Sequence, residues 1–241
     1  MPFLEQSIAS VLSQDIRDIE YIFVDGGSED GTLERIAQVP GNVKVLHNIR
    51  GGIARAMNEG IHAATGDVIA HLHSDDYYVH PEVLSHVTQA LEKTGAAWLF
   101  GRCLSDIEGE RVPESYVIPR YSYRRLLKGN FIPHPSTFVR RSLFERVGVF
   151  DESIKYAMDY DLWLRLGKAA EPAQLDEHLA VFRWHPGSLT SSNRMASLED
   201  DHAVRMRYVA QTPWSLVYHW VHYLVRCRRL ANTLSLQGTA P

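Results

Sequence analysis

The sequence predicts an α/β fold in which a mixed, mostly parallel sheet is flanked by helices. Strand-like and helix-like segments alternate through about residue 101, the pattern of parallel strands joined by crossover helices. With 241 residues, 45% of them hydrophobic, the chain can bury a full core. Three apolar runs end on aspartate, at Asp25, Asp75 and Asp159. Because ligands bind beyond the carboxyl ends of the strands in open α/β sheets, we expect these acids to meet in one crevice.

The predicted elements follow one another regularly in the amino-terminal half. Leu4, Ile8 and Val11 recur at helical spacing, which predicts a core-facing helix with no strand before it. Pro81 suits the first turn of a later helix. Strands are predicted over residues 20–25, 43–47, 67–72 and 96–101, and helices just after residue 31 and over residues 51–64 and 81–91.

The composition excludes several classes of protein. The 25 basic and 29 acidic residues give a net charge of -4, which offers no basic footprint for nucleic acid. Two cysteines, Cys103 and Cys227, have neither the number nor the spacing of a disulfide framework or a zinc site, which favours a reducing, cytoplasmic compartment. The amino terminus lacks the pattern of a secretory signal.

Asp25 stands between a predicted strand and a glycine-rich turn at residues 26–31. The turn lacks the spacing of dinucleotide-binding and P-loop motifs, and Ser28 or Asp30 could cap the helix after it. A carboxylate at a strand end can accept a hydrogen bond from a ribose hydroxyl or from the imide N–H of a uracil. Closing the turn explains Asp25 equally well, and the residue type does not separate the two.

The sequence His73-Ser74-Asp75-Asp76 follows another predicted strand. Hard cations such as Mg²⁺ and Mn²⁺ take oxygen ligands, and Mg²⁺ is usually held by one or two carboxylates and the phosphates of a substrate. Adjacent carboxylates repel each other, and a cation relieves that repulsion. An isolated Asp-Asp pair is more often two solvated loop acids, so a cation site depends on the surrounding pattern.

That surrounding pattern resembles the family 2 glycosyltransferases, which have a GT-A fold, a Rossmann-like fold for nucleotide-diphospho-sugar transfer. Several motifs keep the family's order and spacing over roughly residues 3–190, so the resemblance is more specific than any one motif. The motifs are FVDGGSEDGT (23–32), GGIARAMNEG (51–60), ATGDVI (64–69), HSDD (73–76), VGVFDE (147–152) and DYDLWLR (159–165).

The resemblance implies a nucleotide-sugar donor and a divalent cation, Mg²⁺ or Mn²⁺. At matching positions Asp75 and Asp76 would bind the cation, and His185 would contact the cation or a phosphate. Structural hydrogen bonding is an equally good reason for His185. The implied donor-binding residues are Asp25, Gly27, Ser28, Arg55, Asn58 and Asp75.

On the acceptor side, the resemblance gives Asp159 the role of general base, which deprotonates the acceptor hydroxyl in inverting members. Asp161 could instead begin a helix. His134 and Trp163 are assigned to the acceptor side, although a structural hydrogen bond for His134 and a core position for Trp163 are the ordinary alternatives.

Three departures from the family pattern bear on these assignments. The family's first strand, with its Pro-Thr-Tyr-Asn-like turn, has no counterpart in this sequence, so we expect an incomplete donor site unless another segment or chain fills the sheet edge. His73 stands where the metal motif often has an acid. Met158 stands where an acid commonly precedes the base, and losing that like charge should lower the pKa of Asp159 relative to the usual pair.

The carboxyl end differs in character, so the predicted organisation is a GT-A-like domain at residues 1–195 and a helical appendage at 196–241. Residues 213–225 are aromatic and apolar, and residues 226–229 are basic. The segment 213–229 is too short and too polar to span a bilayer. It could lie at a membrane interface with its arginines on anionic headgroups, or it could pack over the domain.

The predicted function is metal-dependent, inverting transfer of a sugar from a nucleotide-sugar, with UDP favoured, to a hydroxyl of a glycan or lipid-linked acceptor. Envelope polysaccharide or glycolipid assembly is the expected setting, in the cytoplasm or at the inner face of its membrane. The first alternative is a non-catalytic or partner-dependent GT-A-like module. The second is a nucleotidyltransferase, because related α/β sheets also use metal-bound acids.

Overall fold

The strands form two sheets, and helices pack against both. The computed structural model describes residues 3–113, 118–185, 187, 193–210 and 212–237. In the first sheet, β1 (Glu20–Val24) pairs in parallel with β2 (Asn42–Leu46), with Glu20 opposite Asn42. The second sheet has six strands, which are β3 (Val68–Ala70), β4 (Tyr77–Tyr78), β5 (Trp98–Ile107), β6 (Glu110–Pro113), β7 (Thr137–Arg140) and β8 (Ala173–Trp184).

The six-stranded sheet is mixed, as predicted, but most pairs of neighbouring strands within it are antiparallel. Its order is β3-β7-β5-β8-β4, and β6 pairs with β5 outside this path. β5 and β8 are parallel, whereas β7 is antiparallel to both β3 and β5. The helix–strand alternation sets β3 and β5 in the same direction, but β7 comes from later in the chain and inserts between them. Alternation therefore predicts strand direction without predicting the neighbours.

The helices lie close to their predicted positions. In α1, the residues at helical spacing, Leu4, Ile8 and Val11, are buried. α4 ends on Gly95, whose positive φ of 65° suits the left-handed residue that closes a helix. The helices are α1 (Leu4–Leu12), α2 (Thr32–Ile36), α3 (Ile53–Ala63), α4 (Val83–Thr94), α5 (Tyr123–Leu126), α6 (Arg141–Val147), α7 (Met158–Ala169), α8 (Arg194–Met206) and α9 (Pro213–Gln237).

Helix α1 connects the two sheets. Its residues Leu4 and Ile8 pack with Phe23 of β1 in one buried cluster. On the other side, the hydroxyl of Ser10 accepts a hydrogen bond from the backbone N–H of Tyr78 in β4 at 3.1 Å. The first sheet is thus attached to the second through this helix, and a cleft opens between them.

The carboxyl-terminal helices pack against the same body. Val204 of α8 belongs to the largest buried cluster, and the guanidinium of Arg205 donates to the carbonyl oxygen of Lys128 at 2.7 Å. An ion pair between Asp201 and Arg226 fastens α9 to α8. The predicted domain boundary at 195/196 falls inside α8, and residues 238–241 of the predicted appendage lie outside the described residues.

Candidate functional site

A cleft of about 460 Å³ opens where three strands end. Asp25 follows the last residue of β1, Asp75 lies five residues beyond the end of β3, and His185 follows the last residue of β8. All three line the cleft, so the expectation that acids at strand ends share a crevice is met by Asp25 and Asp75. The other lining residues are Phe3, Leu4, Phe23, Val24, Gly26, Ser28, Asp30, Thr32, Ile36 and Ser74.

Asp25 both closes its turn and faces the cleft. Its Oδ2 atom accepts hydrogen bonds from the backbone N–H groups of Gly27 at 2.7 Å and Ser28 at 2.9 Å. Burial raises the pKa of Asp25, but the hydrogen bonds from Ser28 and Gly27 outweigh it, and the net shift is downward. Gly27 has a φ of 106°, which favours glycine. The turn therefore holds an ionised carboxylate at the strand end.

Asp75 and Asp76 differ sharply in environment. Asp75 is partly exposed, and its Oδ2 atom lies 2.9 Å from Nε2 of His185. Asp76 is only 1% exposed, and its Oδ1 atom accepts a hydrogen bond from the backbone N–H of Arg183 at 3.1 Å. Burial, followed by the charge of Asp75, raises the pKa of Asp76 well above its usual value. A cation beside the pair would offset both effects.

The residues here fit a divalent cation. His73, Asp75 and Asp76 each offer one ligand atom, and these atoms lie within 4.8 Å of one another. The Nε2 atom of His73 is buried and has no hydrogen-bond partner within the described part of the chain. Two carboxylates and an imidazole suit Mn²⁺ better than Mg²⁺, which prefers oxygen ligands alone. His185 contacts Asp75 and is placed to orient it.

Asp159 lies at the start of α7 and is not among the residues described as lining the cleft. Its Oδ1 atom accepts a hydrogen bond from the backbone N–H of Tyr160 at 2.6 Å, and its Oδ2 atom accepts one from Asn130 at 3.2 Å. Burial is the main cause that raises the pKa of Asp159 to about 6. Asp201 adds to the rise, so a like charge acts on Asp159 although Met158 precedes it.

The neighbouring acid Asp161 is committed to structural contacts. Its Oδ2 atom accepts a hydrogen bond from Arg165 at 2.9 Å, and its Oδ1 atom accepts one from the hydroxyl of Tyr208 at 2.7 Å. Because its side chain is only 4% exposed and is paired with Arg165, whereas Asp159 is partly exposed, Asp161 is poorly placed to take a proton from a substrate. This geometry favours Asp159 over Asp161.

Three of the predicted donor-binding residues, Gly27, Arg55 and Asn58, are not among the described residues that line the cleft. Asn58 is buried, and its amide bonds to both backbone groups of Phe150 and to the carboxylate of Glu152, at 2.9 to 3.0 Å. Its side chain therefore joins α3 to the loop before α7 and has a structural role. Arg55 is exposed near the start of α3 and is not among the described lining residues.

Of the two residues predicted on the acceptor side, His134 lies beside His73, and Trp163 lies in the core. The ring of His134 stacks on His73 with centroids 5.2 Å apart and lies 5.8 Å from the ring of Trp163. Trp163 is buried and stacks on Trp98 at 6.1 Å, so packing explains it. Burial lowers the pKa of His134, which keeps its ring neutral.

The sequence also matches a known family. Residues 1–148 match the sequence model of Glycosyl transferase family 2, a span of more than half the chain. The chain belongs to Glycosyl transferase family 2.

Other members of the family are moderately similar. The uncharacterized glycosyltransferase EpsJ of Bacillus subtilis is 32% identical over 208 residues, which cover 78% of this chain and 59% of EpsJ. The hyaluronan synthase of Pasteurella multocida is 29% identical over 206 residues, 84% of this chain and 21% of that protein. The chain spans 59% to 65% of the length of the first three curated relatives that it matches.

Solved structures of glycosyltransferases share the fold. S. aureus TarS 1-349 in complex with UDP-GlcNAc aligns with a TM-score of 0.67 at 20% identity, over 88% of this chain and 64% of TarS. The mannosyltransferase PcManGT from Pyrobaculum calidifontis, in complex with GDP-Man and Mn²⁺, aligns with a TM-score of 0.66 at 18% identity, over 92% of this chain and 66% of PcManGT. The predicted GT-A architecture is confirmed.

Arg183, for which the sequence predicts no role, lies beside the candidate site of this family 2 chain. Its guanidinium donates to the carbonyl oxygen of Asp75 at 3.1 Å and pairs with Asp106 at 3.0 Å. It also lies 4.4 Å from the centre of the Phe3 ring. The side chain thus fixes the segment that carries Asp75 and Asp76. In the sequence, the only signal for Arg183 is its place two residues before His185.

Proposed function

We propose that this chain is the nucleotide-sugar-binding and catalytic part of a metal-dependent, inverting glycosyltransferase. The observation that carries the proposal is the single cleft into which Asp25, Asp75 and His185 project from the ends of three strands. Family membership supports sugar transfer. The fold is shared with enzymes solved in complex with UDP-GlcNAc and with GDP-Man and Mn²⁺.

Donor binding divides between the two sides of the cleft. On the β1 side, Asp25 accepts a hydrogen bond from the imide N–H of a uracil, which makes UDP the favoured nucleotide. On the other side, His73, Asp75 and Asp76 would hold Mn²⁺ or Mg²⁺. When bound, the cation supplies charge neutralisation for the departing nucleoside diphosphate. Arg183 keeps the carboxylates of that side in place.

Asp159 is the proposed general base for the acceptor hydroxyl. Its raised pKa brings its proton affinity closer to that of a base working near neutral pH. The position at the start of α7 acts in the opposite sense and favours the ionised form, because the helix dipole stabilises negative charge there. Asn130 donates a hydrogen bond to one oxygen of Asp159 and so holds the carboxylate in one orientation.

Titration of UDP tests donor binding. In the presence of Mn²⁺ we expect measurable heat, and in EDTA we expect the affinity to fall at least tenfold, because the diphosphate then faces Asp75 and Asp76 without a cation. Asp75→Asn should lower the affinity in Mn²⁺ to the same extent. Isothermal titration calorimetry makes the measurement.

The matched control is Asp176→Asn, which removes a carboxylate that is 82% exposed on β8, outside the cleft. It should bind UDP as the parent does. Equal affinity with Mn²⁺ and with EDTA would contradict metal dependence. Release of free UDP from UDP-sugars identifies sugar transfer, whereas release of pyrophosphate identifies a nucleotidyltransferase.

A partner-dependent module without catalytic activity is the second candidate. It is favoured by the separation of the two sheets, because β1 pairs only with β2 and β3 only with β7 among the described strands. A segment or partner chain that completes the sheet would then be needed for donor binding. In that case the UDP titration gives no heat under either condition.

The exposed surface of helix α9 suggests where the protein binds its acceptor. Within the described residues, no helix combines the length and apolar character needed to cross a membrane. The face of α9 that contacts the protein is polar, with His219 buried and Tyr223 stacked on His202 at 4.3 Å. The outward face is apolar and 42% to 85% exposed, and consists of Trp214, Val217, Tyr218, Trp220, Val221, Leu224 and Val225.

The occupant that fits this face is an anionic lipid surface. Arg228 and Arg229, which are exposed, follow the aromatic stretch, and residues 213–237 contain no acid. An interfacial helix combines buried aromatic groups with arginines on anionic headgroups. A chain bound through 213–229 would sit at the inner face of the cytoplasmic membrane, beside a lipid-linked or polysaccharide acceptor of envelope glycan assembly.

Sedimentation with anionic liposomes tests this contact. Replacing both Trp214 and Trp220 with Ser should weaken binding at least tenfold, because two exposed aromatic side chains lose their apolar burial. Binding of the parent should also weaken in high salt, which screens the arginines. Ile107→Ser removes an apolar group on β5 that is 49% exposed, and it should change nothing. Unchanged sedimentation of the tryptophan variant would refute the membrane contact.

A further inference from the structure

A second cluster of metal-ligating side chains lies outside the cleft. It consists of His80, which follows β4, His86 in the first turn of α4, and Glu177 in β8. Each offers one ligand atom, and these atoms lie within 4.8 Å of one another. None of the three is among the described residues that line the cleft. No role is predicted for them from local spacing, because Glu177 is 91 residues from His86.

The ligand atoms already converge on one point. Nε2 of His80 lies 3.1 Å from Oε1 of Glu177, and Nδ1 of His86 lies 2.7 Å from the same oxygen. The two rings are edge to face, with centroids 5.6 Å apart. Two imidazole nitrogens directed at one carboxylate leave the remaining coordination positions to solvent, since His86 is exposed.

The chemistry of this donor set selects the metal. Imidazole suits zinc and its neighbours in the first transition series, and a set of two histidines and one carboxylate is an established zinc set. Mg²⁺ and Ca²⁺ prefer oxygen ligands and fit poorly here. The cation chemistry therefore differs from that of the cleft, where two of the three ligands are carboxylates.

An outer carboxylate completes the arrangement. The second ring nitrogen of His80, Nδ1, lies 3.1 Å from Oε2 of Glu82. Metal-bound histidines commonly donate their other N–H to a carboxylate, which fixes the ring and strengthens the ligand. Glu82 is thus placed to orient His80 while Nε2 faces the metal position.

The framework that carries the cluster is fixed. The carbonyl oxygen of His80 accepts a hydrogen bond from Gln14 at 2.9 Å, and the backbone N–H of Val79 donates to Leu179 of β8 at 3.2 Å. The ligands are therefore presented by paired backbone on β4, β8 and α4, which is the support that a precise metal site needs.

We propose that His80, His86 and Glu177 bind a zinc-class divalent cation at a site separate from the cleft. Binding replaces the hydrogen bonds to Glu177 with coordination bonds, and each neutral ring carries its proton on the nitrogen that does not bind the metal. The cation joins the start of α4 to β8, the strand that carries Arg183 and leads to His185. Its expected effect is to stabilise this part of the fold without taking part in sugar transfer.

The test uses the full chain, freed of metal by a chelator and titrated with Zn²⁺. We expect His86→Ala and Glu177→Gln to weaken one zinc-binding event at least tenfold, since even the loss of an outer partner costs a metal site ten- to a hundredfold in affinity. Zn²⁺ should raise the melting temperature of the parent and not that of these variants. His178→Ala, next to Glu177 but outside the cluster, should behave as the parent.

Cobalt distinguishes this site from the cleft. Co²⁺ bound here should give the visible absorption of a low-coordinate ion with nitrogen ligands, and Asp75→Asn should leave that spectrum unchanged. The proposal is overturned if His86→Ala binds Zn²⁺ as the parent does, or if Asp75→Asn alone removes all tight binding. His86 is an exposed helix position, so alanine there is compatible with folding.

Discussion

Asp159→Asn is expected to reduce the rate of sugar transfer by about 10² to 10⁴-fold while leaving UDP binding unchanged. The reduction follows from the loss of the carboxylate that accepts the proton of the acceptor hydroxyl. UDP binding should persist because Asp159 is not among the described residues that line the cleft. Transfer rates and UDP titrations on the same preparation make the measurement. Transfer at the parent rate would show that another group is the base.

The pH dependence gives the same variant a second readout. A base with a pKa of about 6 predicts that the parent's rate falls as pH drops below 6 and levels off above it. The residual rate of Asp159→Asn should lack this step. Asp161→Asn is the matched control, since it removes the neighbouring acid and should keep the step near pH 6.

Asp159→Asn should increase the stability of the fold although it lowers the rate of sugar transfer. The pKa of Asp159 is higher in the folded chain than the ordinary value of 3.8, so the folded state binds more protons between these values and loses stability as pH rises through them. Asparagine carries no charge to bury, so Asp159→Asn should unfold at higher free energy at pH 7. Because Asp159 keeps partial contact with solvent, we expect a gain of only about 1 kcal/mol.

Arg183→Met is expected to destabilise the fold by about 3 kcal/mol, the range found when one partner of a buried ion pair is removed. Arg183 is 8% exposed, and its partner Asp106 would keep a buried charge without its cation. Chemical denaturation measures the loss. Affinity for UDP with Mn²⁺ should fall as well, because Arg183 also holds the backbone of Asp75.

Two further variants test whether Arg183→Met lowers stability through an unpaired buried charge or through a general loss of contacts. Arg102→Met breaks an ion pair with Asp176 whose side chains are 47% and 82% exposed, and should cost less than about 1 kcal/mol. Adding Asp106→Asn to Arg183→Met should recover much of the stability, since no unpaired charge then remains buried. If the double variant is no more stable than Arg183→Met, the buried charge is not the cause.

Local patterns accounted for the elements that depend on near neighbours. The helical spacing of Leu4, Ile8 and Val11 and the apolar run that ends on Asp25 predicted α1 and β1, because burial of one helix face or one strand leaves a periodic trace. The insertion of β7 between β3 and β5 leaves no such periodic pattern in the sequence. Which strands become neighbours depends on contacts between distant parts of the chain. β3 and β7 pair with each other but are far apart in the sequence, so local patterns do not predict their pairing.

The sequence by itself determined the family, the α/β architecture and two of the acids that line the cleft, Asp25 and Asp75, since these follow from motifs whose spacing is local. Only the tertiary structure decided the surroundings of each group. It committed Asn58 to structural contacts, and it placed Arg183 against Asp75 and Asp106. Burial and partner choice are properties of residues that meet in space from distant parts of the chain, and they set charge states that residue identity leaves open.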